Sequence, residues 1–225
     1  MEIFRFREFE IEQNESVHKV GTDGVLLGAW TECVNAKTIL DIGTGTGLLA
    51  LMIAQKKPLA KITAIEIDEN AFLLAKENFE KSKWGERIFA KKFSVFDFQP
   101  PQKFDLIICN PPFFTNSLKS PSSSRNKARH NDEVPFNKLL KKVNHLLDEH
   151  GKFSVIIPAD QEKEFIAKAW FENLFAEKIC KVKPKPNFEI KRSMILFGRK
   201  QTSAQVEEII VESEKFRELT TQFYL

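Results

Sequence analysis

A run of eleven residues in the middle of the chain, FDLIICNPPFF at 104–114, joins a predicted buried strand to side chains that suit a planar ligand. The apolar residues predict the strand. The two prolines end it, because proline fixes its own backbone angle and lacks an amide hydrogen for the sheet. We therefore expect Asn110 and Phe113 at the rim of a sheet. An amide and an aromatic face in that position suit a flat ligand that carries an amino group.

A second candidate site lies in DIGTGTG, residues 41–47, which directly follows a predicted strand and opens a predicted helix. Its glycines permit a tight turn and close approach to a ligand, and the helix start offers amide hydrogens. Leu48 stands where the nicotinamide fingerprint requires a glycine, so the GxGxxG spacing fails. Glu66 ends the next strand, where a carboxylate suits a ribose diol. A glycine cluster alone is often only a tight turn, but the combination with Glu66 predicts a ligand site.

Strand and helix patterns alternate along the chain, which predicts a mostly parallel, doubly wound α/β sheet. Thr38–Ile42 and Lys61–Ile67 are apolar runs rich in β-branched residues, and the helical pattern between them completes a βαβ unit. Asp68 is placed to cap a helix over residues 69–82. Further strands are predicted at 93–96, 104–109, 151–157, 176–182 and 193–199, and further helices at 136–149 and 161–173.

Two hairpins are expected at the ends of this core. The segments IFRF and FEIEQ alternate apolar and polar residues, which predicts an N-terminal hairpin that caps the main domain. Residues 183–187, KPKPN, cannot form a crossover helix, so the last two strands are predicted to be antiparallel. The expected architecture is a single domain with a seven-stranded sheet, in which residues 1–36 form the cap, 37–200 the core and 201–225 an extension.

Composition restricts the class of protein. A chain of 225 residues with 42% hydrophobic and 29% charged residues suits one ample α/β domain. Cys33, Cys109 and Cys180 form no CxxC pair, and the four histidines have no metal-ligand spacing, so we expect neither a disulfide framework nor a metal. The longest apolar run has seven residues and the N-terminus is charged, so we expect no membrane span, no signal peptide and a cytosolic location.

The net charge of +3 is unevenly distributed along the chain. Residues 115–131 carry +4 and residues 178–200 carry +7, so the remainder carries −8. This distribution is typical of a protein that turns a basic face to phosphates, although basic residues that are merely solvated on a loop and a hairpin are the alternative. The candidates for phosphate contact in the second segment are Lys185, Lys191 and Arg192.

The segments DIGTGTG, AIEID and NPPF together resemble the class I S-adenosylmethionine-dependent methyltransferases that modify amino groups. The resemblance covers most of the chain and implies a Rossmann-like fold with S-adenosylmethionine as cofactor. It also implies that Glu66 holds the ribose hydroxyls and that Asp97 accepts from the adenine amino group, for which a plain turn before Pro100 is the alternative. The other residues with an implied cofactor contact are Asp41, Gly43, Gly45, Gly47 and Asn110.

The NPPF motif has a chemical rationale in such enzymes, because the lone pair of an exocyclic nitrogen is delocalised into its ring. If the Asn110 side-chain oxygen and the Pro111 carbonyl each accept one amino hydrogen, the nitrogen can become pyramidal and direct its lone pair at the sulfonium methyl. Phe113 would stack on the ring, and Pro112 and Phe114 are further candidates for substrate contact. No strong base is needed, since the proton can leave after the nitrogen has become cationic. A strand-ending turn over a hydrophobic patch is the alternative.

Two further segments, VHKVGTDGVLLGAW at 17–30 and KARHND at 127–132, resemble the bacterial tRNA(Val) (adenine-37-N6)-methyltransferase family. The resemblance implies that the first segment lies over the cofactor and the second near the substrate entrance. A helix cap over residues 24–33 is the alternative role for Asp23. The implied cofactor-site residues are Lys19, Thr22 and Asp23, and those at the substrate entrance are Arg129 and His130.

Sites of the NPP(F/Y) type act on aminopurines and on protein glutamines. The basic segments favour RNA, because an anticodon loop presents splayed bases and closely spaced phosphates. The expected activity is therefore N6-methylation of an adenine in tRNA, by a monomer. One alternative is a protein-glutamine N5-methyltransferase acting on a peptide-release factor. It is weakened because such enzymes usually carry a helical domain before the core, and only about 37 residues precede the first core strand here. The other is a non-catalytic RNA-binding module, against which the intact glycine loop and Asn110 argue.

Overall fold

An eight-stranded sheet with helices on both faces forms the centre of the computed structural model, which describes residues 2–14, 17, 19–111 and 136–225. The strands are β1 (Glu2–Arg5), β2 (Glu10–Gln13), β3 (Thr38–Ile42), β4 (Lys61–Glu66), β5 (Ile88–Lys92), β6 (Phe104–Cys109), β7 (Leu147–Pro158), β8 (Phe175–Lys183), β9 (Arg192–Gly198) and β10 (Gln205–Ile210). The helices are α1 (Thr22–Trp30), α2 (Leu48–Lys56), α3 (Glu69–Lys81), α4 (Phe136–Leu146), α5 (Glu162–Phe171) and α6 (Glu214–Thr220).

The strand order of the large sheet is β10-β8-β9-β7-β6-β3-β4-β5, and of the strands described in it β9 alone runs antiparallel to its neighbours. The chain enters at β3, moves outward through β4 to β5 and then returns to β6 on the other side of β3. A topological switch point therefore lies between β3 and β6, where open α/β sheets bind ligands. The predicted doubly wound fold is confirmed, as are the N-terminal hairpin and the antiparallel pairing of β8 with β9.

Alternate residues of the inner strands enter two separate hydrophobic clusters. Ile39 of β3 packs with α1, α2 and α3 on one face, and Leu40 packs with α4 and α5 on the other. In β6, Ile108 and Ile107 divide in the same way, and all four side chains are fully buried. Because both faces are covered, these strands are apolar along their whole length, as is usual for inner parallel strands.

Helix α1 is apolar on all sides, and each residue from Gly24 to Trp30 is buried. It packs on α2, where Gly28 leaves room for Met52: a β-carbon at position 28 would lie 2.6 Å from the Met52 Sδ atom. The Lys56 ammonium donates to three carbonyl oxygens at the end of α1, at 2.6 to 3.2 Å. These contacts fix α1 beside the glycine loop. Neither α1 nor any other described helix has the length and apolar content needed to cross a membrane.

One predicted strand lies at a different place. A strand is predicted at 93–96, but the structure has β5 at Ile88–Lys92. The pairing of β5 with β4 ends at Lys92, which lies opposite Glu66, the last residue of β4. Phe93 and Phe96 follow the strand and are exposed. Their apolar character therefore reflects an exposed turn at the end of the strand and not a buried strand.

The C-terminal residues add an eighth strand, so the prediction of a seven-stranded sheet is wrong. Strand β10 pairs in parallel with β8, and α6 packs against α1. The sequence QVEEII does not predict this strand, because its adjacent glutamates break the alternation of apolar and polar residues. In the structure, Glu207 accepts a hydrogen bond from Trp30 Nε1 at 2.7 Å, and Glu208 pairs with Lys183 at 3.0 Å. Partners that are distant in sequence thus accommodate both charges.

Candidate active site

Three neighbouring strands bring the predicted site residues to one edge of the sheet. In the parallel register, the last residue of β3 lies opposite Ile65 of β4 and Cys109 of β6. The residues that follow these positions, Gly43, Glu66 and Asn110, are therefore adjacent at the carboxyl edge. Since neighbouring strands are about 4.8 Å apart, roughly 10 Å separates Asn110 from Glu66 across the glycine loop. The predicted position of Asn110 at the end of an inner strand is confirmed.

The glycine loop turns through three residues with left-handed backbone angles: φ is 68° at Gly43, 56° at Gly45 and 88° at Gly47. The amides of residues 43 and 44 donate to the Ile65 carbonyl at 2.9 and 3.1 Å, which ties the turn to β4. A β-carbon at Gly43 or Gly45 would meet no atom of the described residues within 4 Å. The loop backbone therefore borders open space, as the approach of a ligand requires.

The Glu66 carboxylate is held by three backbone amides. The Gly45 amide donates to Oε2 at 3.0 Å, and the amides of Ile67 and Asp68 donate to Oε1 at 2.8 and 3.0 Å. Asp68 also caps α3 as predicted, because its side chain accepts from the Ala71 amide at 2.9 Å. Glu66 thus links the glycine loop to the start of the next helix while part of its surface stays accessible.

Asp41 is a fully buried carboxylate beneath the glycine loop. Its Oδ2 atom accepts from the Thr44 hydroxyl at 2.6 Å, whereas its Oδ1 atom is buried and has no hydrogen-bond partner among the described residues. Burial raises the pKa of Asp41 to about 7; the Thr44 hydroxyl and the Ala50 backbone amide oppose this shift, and the nearby Glu66 charge adds to it.

Asn110 stands at the end of β6, partly exposed, and no described residue forms a hydrogen bond with its side chain. Its amide nitrogen lies beside the first turn of α1: a β-carbon at Gly24 would lie 3.8 Å from Asn110 Nδ2 and 2.9 Å from Leu48 Cδ2. Pro111 is buried next to it. The carboxamide is thus flanked by α1 and available to a substrate.

The other predicted residues of this region lie outside the described residues: Pro112, Phe113, Phe114, Arg129 and His130.

The segment before α1 reaches the same edge, but its predicted residues have protein partners. The Lys19 ammonium donates to Glu2 at 2.5 Å, and Asp23 accepts from Arg192 Nε at 2.7 Å. The alternative that Asp23 caps α1 is wrong, because Gly21 occupies the cap position. Thr22 is the first, exposed residue of the helix. The Asp23–Arg192 pair joins α1 to β9. The sequence predicts a cofactor contact for Asp23 and a substrate contact for Arg192, whereas the structure pairs the two side chains with each other.

Asp97 lies in an exposed turn after β5, where its amide donates to the Ser94 carbonyl at 3.1 Å. This geometry fits the plain-turn alternative. A contact of Asp97 with an adenine amino group stays a prediction.

Asn78 is a structural contributor to the site that sequence reasoning missed. Its Oδ1 atom accepts from the Glu12 amide at 2.9 Å, and its Nδ2 atom donates to the carbonyls of Glu12 and Thr46 at 3.0 and 2.9 Å. One buried amide thereby holds the N-terminal hairpin, α3 and the glycine loop together. A polar residue between Ala75 and Phe79 on the apolar face of α3 was the signal that could have revealed it.

Four carboxylates from other parts of the chain pair with residues of the basic segment 178–200 and reduce its charge from +7 to +3. Five of its basic residues form ion pairs with described residues. Arg199 donates hydrogen bonds to main-chain carbonyls at the end of α4. The +7 counted along the sequence is therefore not a free basic face. Lys185 and Lys191 lie in the connection between β8 and β9, at the same edge as Asn110. The five pairs are Lys178–Glu32, Lys181–Glu162, Lys183–Glu208, Lys191–Glu189 and Arg192–Asp23.

The described residues contain no group of three or more His, Cys, Asp or Glu side chains that could hold a metal ion. The three cysteines are free and buried. Burial raises the pKa of the Cys109 thiol well above its usual value, and the neighbouring carboxylates add to this effect. A thiol in this state is a weak nucleophile, so Cys109 contributes packing beneath Asn110.

The doubly wound sheet, the glycine loop at its switch point and the asparagine at the adjacent strand end define a class I methyltransferase. Residues 21–183 match the family model of the methyltransferase small domain. The chain belongs to the tRNA1(Val) (adenine(37)-N6)-methyltransferase family, as the motifs predicted. It is 41% identical to the relative of that name in Flavobacterium psychrophilum, over 99% of both chains. It is 44% identical to the relative in Bacteroides thetaiotaomicron, over 99% of this chain and 97% of the relative.

Solved structures agree with the fold. A methyltransferase from Pyrococcus furiosus superposes with a TM-score of 0.61 at 20% identity, covering 85% of this chain and 89% of that protein. A TehB-like SAM-dependent methyltransferase from Corynebacterium glutamicum gives a TM-score of 0.56 at 16% identity, over 81% and 90% of the two chains. At these identities the likeness shows the fold alone.

Gly47→Ala is expected to destabilise the protein more than Gly45→Ala. A β-carbon at position 47 would lie 2.4 Å from Phe79 Cε1, whereas position 45 borders open space. Backbone strain and steric overlap together predict a loss of about 2 to 4 kcal/mol for Gly47→Ala, against about 1 to 2 kcal/mol of strain alone for Gly45→Ala. Urea unfolding measures both free energies. Equal decreases in the free energy of unfolding for the two variants would contradict this prediction, because they would mean that the Phe79 ring moves away from the new β-carbon at no cost.

Asp41→Asn is expected to change how stability depends on pH. The pKa of Asp41 is about 7 in the folded chain and 3.8 in the reference state, so between these values the folded chain binds the proton more tightly. The Asp41 contribution to the free energy of unfolding therefore falls as pH rises from 4 to 7, by roughly 4 kcal/mol at most. Urea unfolding of both proteins across this range measures the difference. A difference between them that is constant with pH would contradict the assignment.

Proposed function

We propose that this chain transfers the methyl group of S-adenosylmethionine to N6 of adenine 37 in tRNA1(Val). The observation that carries the proposal is the identity of 41 to 44% over nearly the whole chain to relatives that bear this name. The site supports it, since Asn110 and the glycine loop lie on either side of the switch point. The protein-glutamine alternative is not favoured, because the relatives' names specify adenine.

The residues at the edge fit S-adenosylmethionine, which supplies an electrophilic methyl group on a sulfonium when it is bound. Gly43 and Gly45 present bare backbone to open space, and the Asp41 Oδ1 atom is a buried acceptor without a described partner. The glycine loop would hold the amino acid part, and Glu66 would accept from the ribose hydroxyls. Asp97 would accept from the adenine amino group.

Asn110 and Pro111 would carry the chemistry by positioning the substrate nitrogen. The Asn110 carboxamide oxygen and the Pro111 carbonyl each accept one amino hydrogen, which reduces the delocalisation of the lone pair into the adenine ring. The surroundings support preorganised acceptors, since Pro111 is buried and the first turn of α1 lies beside the Asn110 amide. The nitrogen needs no base before it attacks, because it releases its proton to solvent water once it is cationic.

The activity is tested by incubating the protein with methyl-labelled S-adenosylmethionine and an unmodified tRNA1(Val) transcript. We expect one labelled N6-methyladenosine per tRNA and no label in a transcript with guanosine at position 37. A peptide-release factor serves as the second acceptor. Label in the release factor and not in the tRNA would replace the proposed function with the glutamine alternative, and label in neither would favour a non-catalytic module.

Asn110→Ala is expected to retain S-adenosylmethionine binding and to lose methyl transfer by roughly two to three orders of magnitude, as when a preorganised hydrogen-bonding group is removed. Calorimetry measures binding and single-turnover assays measure transfer. The matched control is Asn35→Gly, which removes an exposed amide at the opposite edge and suits the φ of 59° at that residue. Undiminished turnover of Asn110→Ala would refute its assigned role.

A further inference from the structure

The connection between β8 and β9, residues 184–191, is called here the hairpin tip. Strand β8 runs parallel to β7 and β6, so the hairpin tip stands at the same edge of the sheet as Asn110. Two strand spacings separate β9 from β6 and three separate β8 from β6, which corresponds to roughly 10 to 14 Å. The hairpin tip is thus within reach of nucleotides next to a base that is bound at Asn110.

The hairpin tip presents a single aromatic ring in an ordered turn. The Phe188 side chain is 54% exposed. Its amide donates to the Lys185 carbonyl at 3.1 Å, and the Lys191 amide donates to the Val182 carbonyl at 2.9 Å and closes the hairpin. Two prolines, at 184 and 186, restrict the backbone further. The exposed ring is therefore held in place by the turn that carries it.

The hairpin tip carries charges of both signs: Glu189, the residue after Phe188, pairs with Lys191 at 3.8 Å. Lys178, Lys181 and Lys183 pair with carboxylates of other elements. Lys185 instead places its ammonium 6.0 Å from the centroid of the Phe188 ring, and none of the described residues forms an ion pair with it. An aromatic face next to an unneutralised cation is the arrangement that proteins use to bind an unpaired nucleotide, through base stacking and phosphate contact.

We propose that Phe188 is a stacking platform for an unpaired anticodon-loop nucleotide that flanks the target adenine, with Lys185 contacting the adjacent phosphate. This inference rests on the proposed function, because it assumes a tRNA substrate. A folded protein partner would need a far larger apolar surface than one ring. The position at the catalytic edge and the charge complementarity to phosphate both favour RNA.

The test compares affinities for an unmodified tRNA1(Val) transcript at fixed salt, using the full chain. Phe188→Ala and Phe188→Leu are expected to weaken binding by about tenfold, the lower part of the range for loss of one stacked base, whereas Phe188→Trp retains binding. The leucine variant keeps apolar bulk without a π face, so it separates stacking from packing. S-adenosylmethionine affinity should stay unchanged in all three variants.

Phe171→Ala is the matched control. Phe171 is 83% exposed and ends α5, so it lies at the opposite edge of the sheet from Asn110. The control variant should bind the transcript as the unchanged protein does. Equal affinity of Phe188→Ala and Phe171→Ala would overturn the inference, as would a leucine variant that binds like the unchanged protein.

The phosphate contact is tested by Lys185→Gln. Loss of one phosphate contact should reduce the slope of log affinity against log salt by about 0.7. An unchanged slope would remove Lys185 from the proposal. Failure of the inference and failure of the proposed function are distinguishable: the unchanged protein still methylates tRNA1(Val) in the first case, whereas no tRNA is methylated in the second.

Discussion

The site depends on the hydrogen bonds that three backbone amides donate to the Glu66 carboxylate. It joins the loop after β3 to the start of the crossover after β4, so two consecutive βα connections keep one relative geometry. Hydrogen bonds to an ionised acceptor are shorter and stronger than those between neutral groups. A carboxylate has about four acceptor positions, so three amides leave capacity for a further donor. Glu66 can therefore support the loop and still bind a hydroxyl group of a ligand.

Two other buried polar side chains, Asn78 and Asp41, differ in how completely their hydrogen-bonding atoms are satisfied by the described residues. Asn78 uses its oxygen and both amide hydrogens within the protein, so it stabilises the loop from below at little cost. Asp41 uses only one of its oxygens, and its raised pKa reflects the cost of burying that charge. Evolution tolerates such costs chiefly at functional sites. Asn78 thus satisfies its hydrogen bonds within the protein, whereas the Asp41 Oδ1 atom has no partner among the described residues.

The elements whose signals are local could be predicted from the sequence. The βαβ unit, the glycine loop and the Asp68 cap depend on residues within a few positions of each other, and their prediction is confirmed. Strand β10 could not be predicted, because its glutamates are matched by Trp30 and Lys183, which lie far away in the chain. Charge counting failed for the same reason. It assigned the whole of 178–200 to a basic face, whereas four of its eight basic residues pair with carboxylates from other parts of the chain.

What remains of the positive charge is concentrated by the topology. In a parallel sheet the helices that follow the strands begin at the carboxyl edge, so the N-termini of α2, α3 and α5 all lie there. Of these three helices, only α2 has neither a side-chain cap nor an acidic residue in its first turn, so its N-terminal amides carry roughly half a positive charge at this edge. The ion-paired lysines of β8 lie within the sheet, whereas Lys185 of the hairpin tip has no ion-pair partner among the described residues. At this edge, positive potential therefore arises from the backbone at the start of α2 as well as from the Lys185 side chain.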